Sequence, residues 1–379
     1  MKNESVRKLS FSDRRELKYF VELERKLVGS YPLFVSELDR DLIRHLSGKS
    51  ASCRMMERQL FVASNGRQDV ARCAALINPA YQKAKNEAVG FIGYFAAAPN
   101  SLPQVQAMLE QAELWLRERG VTRVIAPHNG ASVLNYGCLT AAFDEEPAIA
   151  FGWQPPYYSE YISASGYSPT YPIMCYSVSF LTDQWKAIAE RVPEDDKVFR
   201  VRPISKKHWD SDVETFREIF NIVFEHEWEV HPYTSEEFRE FFGEFKLLIG
   251  SSLKIFIAEA DGKPVGIGMV IPDLNPLIRP LRGKLGPIQI IRLLLNLRRY
   301  TQHPKRAGMY IIGALPEYQR KGVAHVLTIT AGRIYERRYG LTGGSGTLVN
   351  ESNVRSRRFV ESLGGTGRVL YHCYDKRLG

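Results

Sequence analysis

Leu315-Pro316-Glu317-Tyr318-Gln319-Arg320-Lys321-Gly322-Val323-Ala324 is the stretch on which the fold turns. An apolar strand, Gly308–Leu315, runs into a tight basic loop, and the loop opens a long helix, Gly322 to Tyr339. A glycine at the turn lets a ligand approach the backbone with no side chain in the way. The first N–H groups of a helix have no intrahelical acceptor and can hold an anion. Arg320 and Lys321 add positive charge at the rim, and Val323, Val326, Leu327, Thr330 and Ile334 form the buried stripe behind it. The combination suits a pyrophosphate.

Working outward from the loop, the second half reads as an ordered series. Phe199–Ile204 is predicted as a strand, and Lys206 to Glu227 and Ser235 to Ile249 as helices. Lys254–Ala260 and Val265–Ile271 are strands joined by Asp261-Gly262, a hairpin dipeptide. Pro287 to Tyr300 is a basic helix. Beyond the loop come strand Thr342–Val349, helix Asn353 to Leu363 and strand Arg368–Asp375.

The first half has two amphipathic helices, Ser12 to Leu27 and Phe34 to Leu46, then strands Leu60–Ala63, Val70–Ile77 and Val89–Phe95. Helix Ser101–Arg119 followed by strand Val121–Ala126 predicts a parallel strand–helix–strand unit. Both halves close with a helix, a small-residue stop and a strand: Tyr157–Ser165, Gly166-Tyr167 and Ile173–Phe180 in one, Asn353–Leu363, Gly364-Gly365 and Arg368–Asp375 in the other. The acidic, proline-containing stretch Glu190–Lys197 is the expected boundary, giving domains 1–192 and 193–379.

Gln319-x-x-Gly322-x-Ala324 resembles the acyl-CoA pyrophosphate loop of the Gcn5-related N-acyltransferase (GNAT) superfamily, and the order β, α, α, β, β, β, α, β, α, β from Phe199 onward resembles its fold. The resemblance implies two α/β GNAT-like domains in tandem, each a mixed, mostly antiparallel sheet flanked by helices, the first a degenerate copy. It implies that the backbone of Arg320, Lys321, Gly322, Val323 and Ala324 binds the pyrophosphate of an acyl-CoA, acetyl-CoA being the expected donor. Gln319 belongs to the same loop motif. Leu315 and its strand would meet the pantetheine, and Asn353 the pantetheine or the sulfur end. A small amine or amino-acid-like acceptor would attack the thioester directly, with no covalent enzyme intermediate.

The chain departs from the family pattern at two places. Where many members place a tyrosine acid seven residues after the asparagine, this chain has Val360, so Tyr371 on the last strand becomes the candidate acid, with Tyr374 beside it. The strand before the loop carries no carboxylate. The acid-rich segment Glu225-His226-Glu227-Trp228-Glu229-Val230-His231 therefore supplies the candidate base, Glu227, and Asp273 at the end of the central strand is a second candidate facing the acceptor. The first half has no counterpart of the loop: after Phe95 it reads Ala96-Ala97-Ala98-Pro99-Asn100, with no glycine or cation. Its later loop carries His128, Asn129 and Asn135, to which no role is assigned.

The net charge of +9 suits an anionic partner such as a CoA. Two rivals remain: a tandem GNAT transferase using aminoacyl-tRNA, and a CoA-binding module without catalysis. The five dispersed cysteines form no CxxC pair or zinc-ligand cluster, so no metal is expected and a reducing cytoplasm is. The N-terminus has no signal-peptide core, and the most apolar run, Pro287–Leu297, is broken by Arg292 and too short to span a bilayer. The basic segment Arg279–Arg306 is an insertion, expected to dock on the other domain, with a lid or a membrane-surface helix as the other options. Pairing into a homodimer is left open.

Overall fold

The computed structural model describes residues 5–243, 245–248 and 251–379. Among the described residues thirteen strands form one sheet: β1 (Ser5–Leu9), β2 (Glu57–Ser64), β3 (Asp69–Ile77), β4 (Val89–Ala97), β5 (Arg123–Ala126), β6 (Cys138–Leu139), β7 (Ser168–Ser179), β8 (Arg200–Pro203), β9 (Lys254–Ala260), β10 (Lys263–Pro272), β11 (Ala307–Ala314), β12 (Gly343–Asn350) and β13 (Thr366–Arg377). The expected elements are present, with shifted ends. The helix expected over Ser235–Ile249 covers Ser235–Gly243, and Ile249 lies outside the described residues. Strand β1, absent from the sequence reading, pairs antiparallel with β2 at the sheet's edge.

Local chemistry fixes the joints. Asp261 and Gly262 both take positive φ, at 51° and 73°, and turn β9 into β10, whose twist such a turn matches. Helix Leu102–Arg117 crosses between β4 and β5, which pair parallel as expected. The halves bury their own cores on both faces of the sheet: Phe61, Met108 and Trp115 on one face of the first half, Phe20, Leu60 and Phe91 on the other. In the second half, Phe216, Phe238 and Ile257 lie on one face, and Phe256, Val326 and Leu327 on the other.

The strand order is β1-β2-β3-β4-β5-β13-β7-β12-β11-β10-β9-β8. Each half therefore gives its last strand to the other. β13 pairs antiparallel with β5, with Tyr374 opposite Ala126, and β7 pairs antiparallel with β12, with Val178 opposite Gly344. The exchanged strands also pair with each other, Val369 opposite Met174. The linker near residue 192 thus separates two chain segments whose sheets close only on each other.

Candidate active site

The site begins with the loop. Leu315 is anchored by its N–H to the Val265 carbonyl at 2.9 Å, and Pro316–Tyr318 makes one 3₁₀ turn. Arg320 and Gly322 then take positive φ, at 69° and 95°. Gly322 is the N-cap of helix Val323–Tyr339, and no side chain caps that end. The amides of the first turn stay available for an anion. Val323 contributes its backbone only, because its side chain is buried against Gly266. Arg320 and Lys321 are exposed at the rim. Gln319 does more than shape the loop: its Oε1 accepts a hydrogen bond from Arg355 at 2.8 Å, tying the loop to the first turn of helix Val354–Ser362. Arg355 was not singled out from sequence; its position two residues after Asn353 was the available signal.

Beyond the loop, β11 and β12 part. They pair in parallel only at Gly308–Ser345 and Met309–Gly346, and diverge from there toward Ala314 and Asn350. A cavity of about 140 Å³ opens at this divergence. Its polar end holds Glu227, Glu229, Asn350, Asn353 and Tyr310. Its other end is apolar and runs between helices Val323–Tyr339 and Val354–Ser362 to a floor of Trp185 and Phe180, whose rings stack at 4.4 Å. The wall there is nearly free of side chains, since β12 begins Gly343-Gly344-Ser345-Gly346. Trp185 presses on Gly332 closely enough that a Cβ would come within 2.3 Å of the indole.

Glu227, the base expected from sequence, sits at the polar end with Asn353: the Asn353 Nδ2 donates to Glu227 Oε1 at 2.5 Å. Asn353 Oδ1 also caps helix Val354–Ser362 by accepting from the Ser356 N–H. Burial raises the Glu227 carboxyl above the ordinary range, with Lys85 and the Asn353 hydrogen bond opposing it. Glu229, two residues on, is more deeply placed. Burial, reinforced by the charge of Glu227, pushes its carboxyl up to about 8, and its Oε2 has no hydrogen-bond partner. Asn350 Nδ2 is likewise buried without a partner. Two unsatisfied polar atoms lining one cavity call for ligand groups, because an orphaned buried donor or acceptor carries a free-energy cost. Tyr310 lines the same space, its hydroxyl held neutral by burial, which pushes it up to about 12. The density of acids at 225–229 was the signal for Glu229; nothing in the sequence marks Asn350 or Tyr310.

The first half holds this polar end in place. Trp228 stacks on Tyr171 of β7 at 4.0 Å, and its carbonyl accepts from the Tyr81 hydroxyl at 2.5 Å. The Lys85 ammonium donates to the Glu227 carbonyl at 2.6 Å. Residues of the degenerate copy thereby aim carboxylates of the other.

Two sequence expectations are corrected. Tyr371 is fully buried in the first half's core, its ring 4.4 Å from Phe151 and its hydroxyl donating to the Gly152 carbonyl. The strand exchange carries β13 away from the loop, so Tyr371 does not line the cavity. Asp273 is buried too, but it closes the base of the insertion: its Oδ1 accepts from the Asn275 N–H and its Oδ2 from Arg306 at 3.2 Å. Val360, at the family's tyrosine position, does line the cavity. His128 is buried between Phe91 and Tyr136, and burial lowers it to about 3, which keeps it neutral.

A strand–loop–helix turn with free first-turn amides thus lies beside a parting of two parallel strands, with carboxylates at the parting. Residues 213–364 match the acetyltransferase (GNAT) family. The whole chain is 27% identical over 370 residues to the bacterial ceramide synthase of Caulobacter vibrioides (strain NA1000 / CB15N), covering 96% of this chain and 95% of that one. It is 25% identical over 374 residues to protein YghO of Escherichia coli (strain K12), covering 97% and 95%. In fold it is similar to a tandem GNAT protein from the clavulanic acid biosynthesis pathway, with a TM-score of 0.57 at 11% identity, covering 100% of this chain and 99% of that one.

Proposed function

We propose that this enzyme transfers an acyl chain longer than acetyl from acyl-CoA to the amine of an amphiphilic acceptor, by direct attack at the parting of β11 and β12. The observation that carries the proposal is the cavity: one end polar with unsatisfied groups, the other apolar and lined by glycine backbone. An apolar cavity of roughly 150 Å³ holds a benzene-sized ligand. The space of about 140 Å³ thus accepts more carbon than an acetyl group brings. The similarity to a protein named bacterial ceramide synthase supports the same direction, because a ceramide is the N-acyl derivative of a long-chain amino alcohol.

In this reading the loop from Gln319 to Ala324 and Arg355 hold the CoA pyrophosphate. Glu229, assisted by Glu227, takes the proton the attacking amine loses as its nitrogen bonds to the acyl carbon. Tyr310 gives a proton to the sulfur as the carbon–sulfur bond breaks. A base whose ordinary value has been raised toward neutral pH suits this task. Cytoplasmic location is part of the same proposal.

Calorimetry with free CoA, acetyl-CoA and longer acyl-CoAs, on wild type and Gly322→Glu, tests it. Binding that strengthens with chain length and is abolished by the substitution is expected. A folded wild type that binds no CoA species would overturn the proposal and favour an aminoacyl-tRNA donor; tight binding without turnover of any amine would favour a non-catalytic module.

A further inference from the structure

The insertion docks on the first half by its two ends, and its helix does not. Its leading loop touches the first half, where the Asp39 N–H donates to the Gly283 carbonyl and Arg279 bonds Glu146. Helix Pro287–Gln302 then turns its aliphatic residues outward: Ile288 is 71% exposed, Ile291 58% and Leu295 71%. Spaced i, i+3 and i+7, these three make one stripe along the helix. Leu294 and Ile290, 54% and 43% exposed, widen it. Leu293, Leu297 and Tyr300 fall on the opposite, half-buried face. An isolated exposed leucine means little, but a contiguous outward stripe marks a contact surface.

Charge identifies the contact. From Arg279 to Arg306 the chain has eight Lys or Arg and no Asp or Glu. Arg279 and Arg306 are used internally, on Glu146 and Asp273. Arg282, Lys284, Arg292, Arg299 and Lys305 are exposed and enter no ion pair among the described residues. Arg292 and Arg299 flank the stripe on the same side. We infer that this helix seats the enzyme on an anionic phospholipid surface, the isoleucines and leucines in the acyl boundary and the guanidinium groups at the phosphates. A helix lying in the interface needs this pairing of apolar burial and cationic rim. A polyanion such as RNA would use the cations but leave the stripe in water, and a second copy would bring the same cations against themselves. The inference is independent of which acyl group or amine the site uses.

Vesicle co-sedimentation of the full chain tests it, with phosphatidylcholine vesicles alone and with added phosphatidylglycerol. The variants are Arg292→Gln/Arg299→Gln and Ile288→Ser/Ile291→Ser/Leu295→Ser, each checked for an unchanged thermal transition and unchanged CoA binding. Wild type should partition onto the anionic vesicles and leave them as salt rises. At about fivefold per cation near an anionic surface, the double Arg variant should partition roughly thirtyfold less. The triple Ser variant should also fall away although its charge is intact. Wild type remaining in the supernatant with anionic vesicles would overturn the inference, as would either variant partitioning like wild type. So would two other outcomes without vesicle binding: a concentration-dependent dimer lost in the Ser variant, or RNA binding lost only in the Arg variant.

Discussion

Gly346→Leu should shorten the acyl chains this enzyme binds while leaving free CoA affinity alone. Gly346 lies on β12 where the cavity wall is bare, and an added Cβ would stand 3.6 Å from Tyr176 and 3.8 Å from Val360, ordinary contact distances. Its φ is not in the left-handed region, so a leucine fits the backbone. The remaining three leucine carbons then enter the space a chain would fill. At about 0.8 kcal/mol for each buried methylene, displacing about three costs about 2.4 kcal/mol, or roughly sixtyfold in affinity for any chain that reaches the floor. Titration calorimetry with free CoA and a series of saturated acyl-CoAs reads this directly: the wild-type affinity should climb with length, and the variant's should level off about three carbons earlier. A uniform loss that includes free CoA would refute the assignment of the apolar end to the acyl chain, as would a length profile identical to wild type.

Trp185→Ala should do the reverse, extending the preferred length by opening the floor, while costing about 3–5 kcal/mol of stability because the indole is 4% exposed and packed on Phe180; chain-length binding measured at low temperature separates the two effects. Glu229 has its carboxyl raised from 4.5 to about 8, so the folded state holds a proton the unfolded state has lost, and wild-type stability should fall as pH rises from about 4.5 to 8. Glu229→Gln should remove that decline in denaturant titrations across the window and abolish the rise in kcat/KM toward pH 8. Asn353→Ala loses both the helix cap and the hydrogen bond to Glu227; melting should show about 1 kcal/mol of destabilisation, with turnover reduced more than CoA affinity. Tyr171→Ala removes the stacking partner of Trp228 from the other half, and should lower kcat with CoA affinity retained, measured by steady-state kinetics and calorimetry.

The parts of the fold that local chemistry dictates were legible. The loop at 319–324, the Asp261-Gly262 hairpin, and the helix that Asn353 caps each have a short-range cause written in adjacent residues. The run of acids around Glu227 was also conspicuous, and the fold places Glu227 at the cavity. What escaped depends on which strand closes on which. β7 and β13 carry similar patterns after similar helices, and nothing in either says it will cross to the other half. That crossing is why Tyr371 ended in a core instead of the site. Glu229 and Asn350 became functional candidates through burial without a partner, a property of packing by Trp228, Tyr171 and their neighbours. The outward stripe of helix Pro287–Gln302 was visible as amphipathic spacing, but spacing alone does not tell which side meets the protein.

The exchanged strands also impose an order on biosynthesis. β5 pairs with β4 on one side and finds its second neighbour only in β13, the last of these thirteen strands in chain order. Until β13 emerges, the first half must wait with an open edge. Because β7 is made long before β12, its partner, neither half matures ahead of the other, and the carboxylates that the first half steadies come into register in the same final event. A chain cut short anywhere before β13 is therefore left with two unfinished sheets instead of one finished domain.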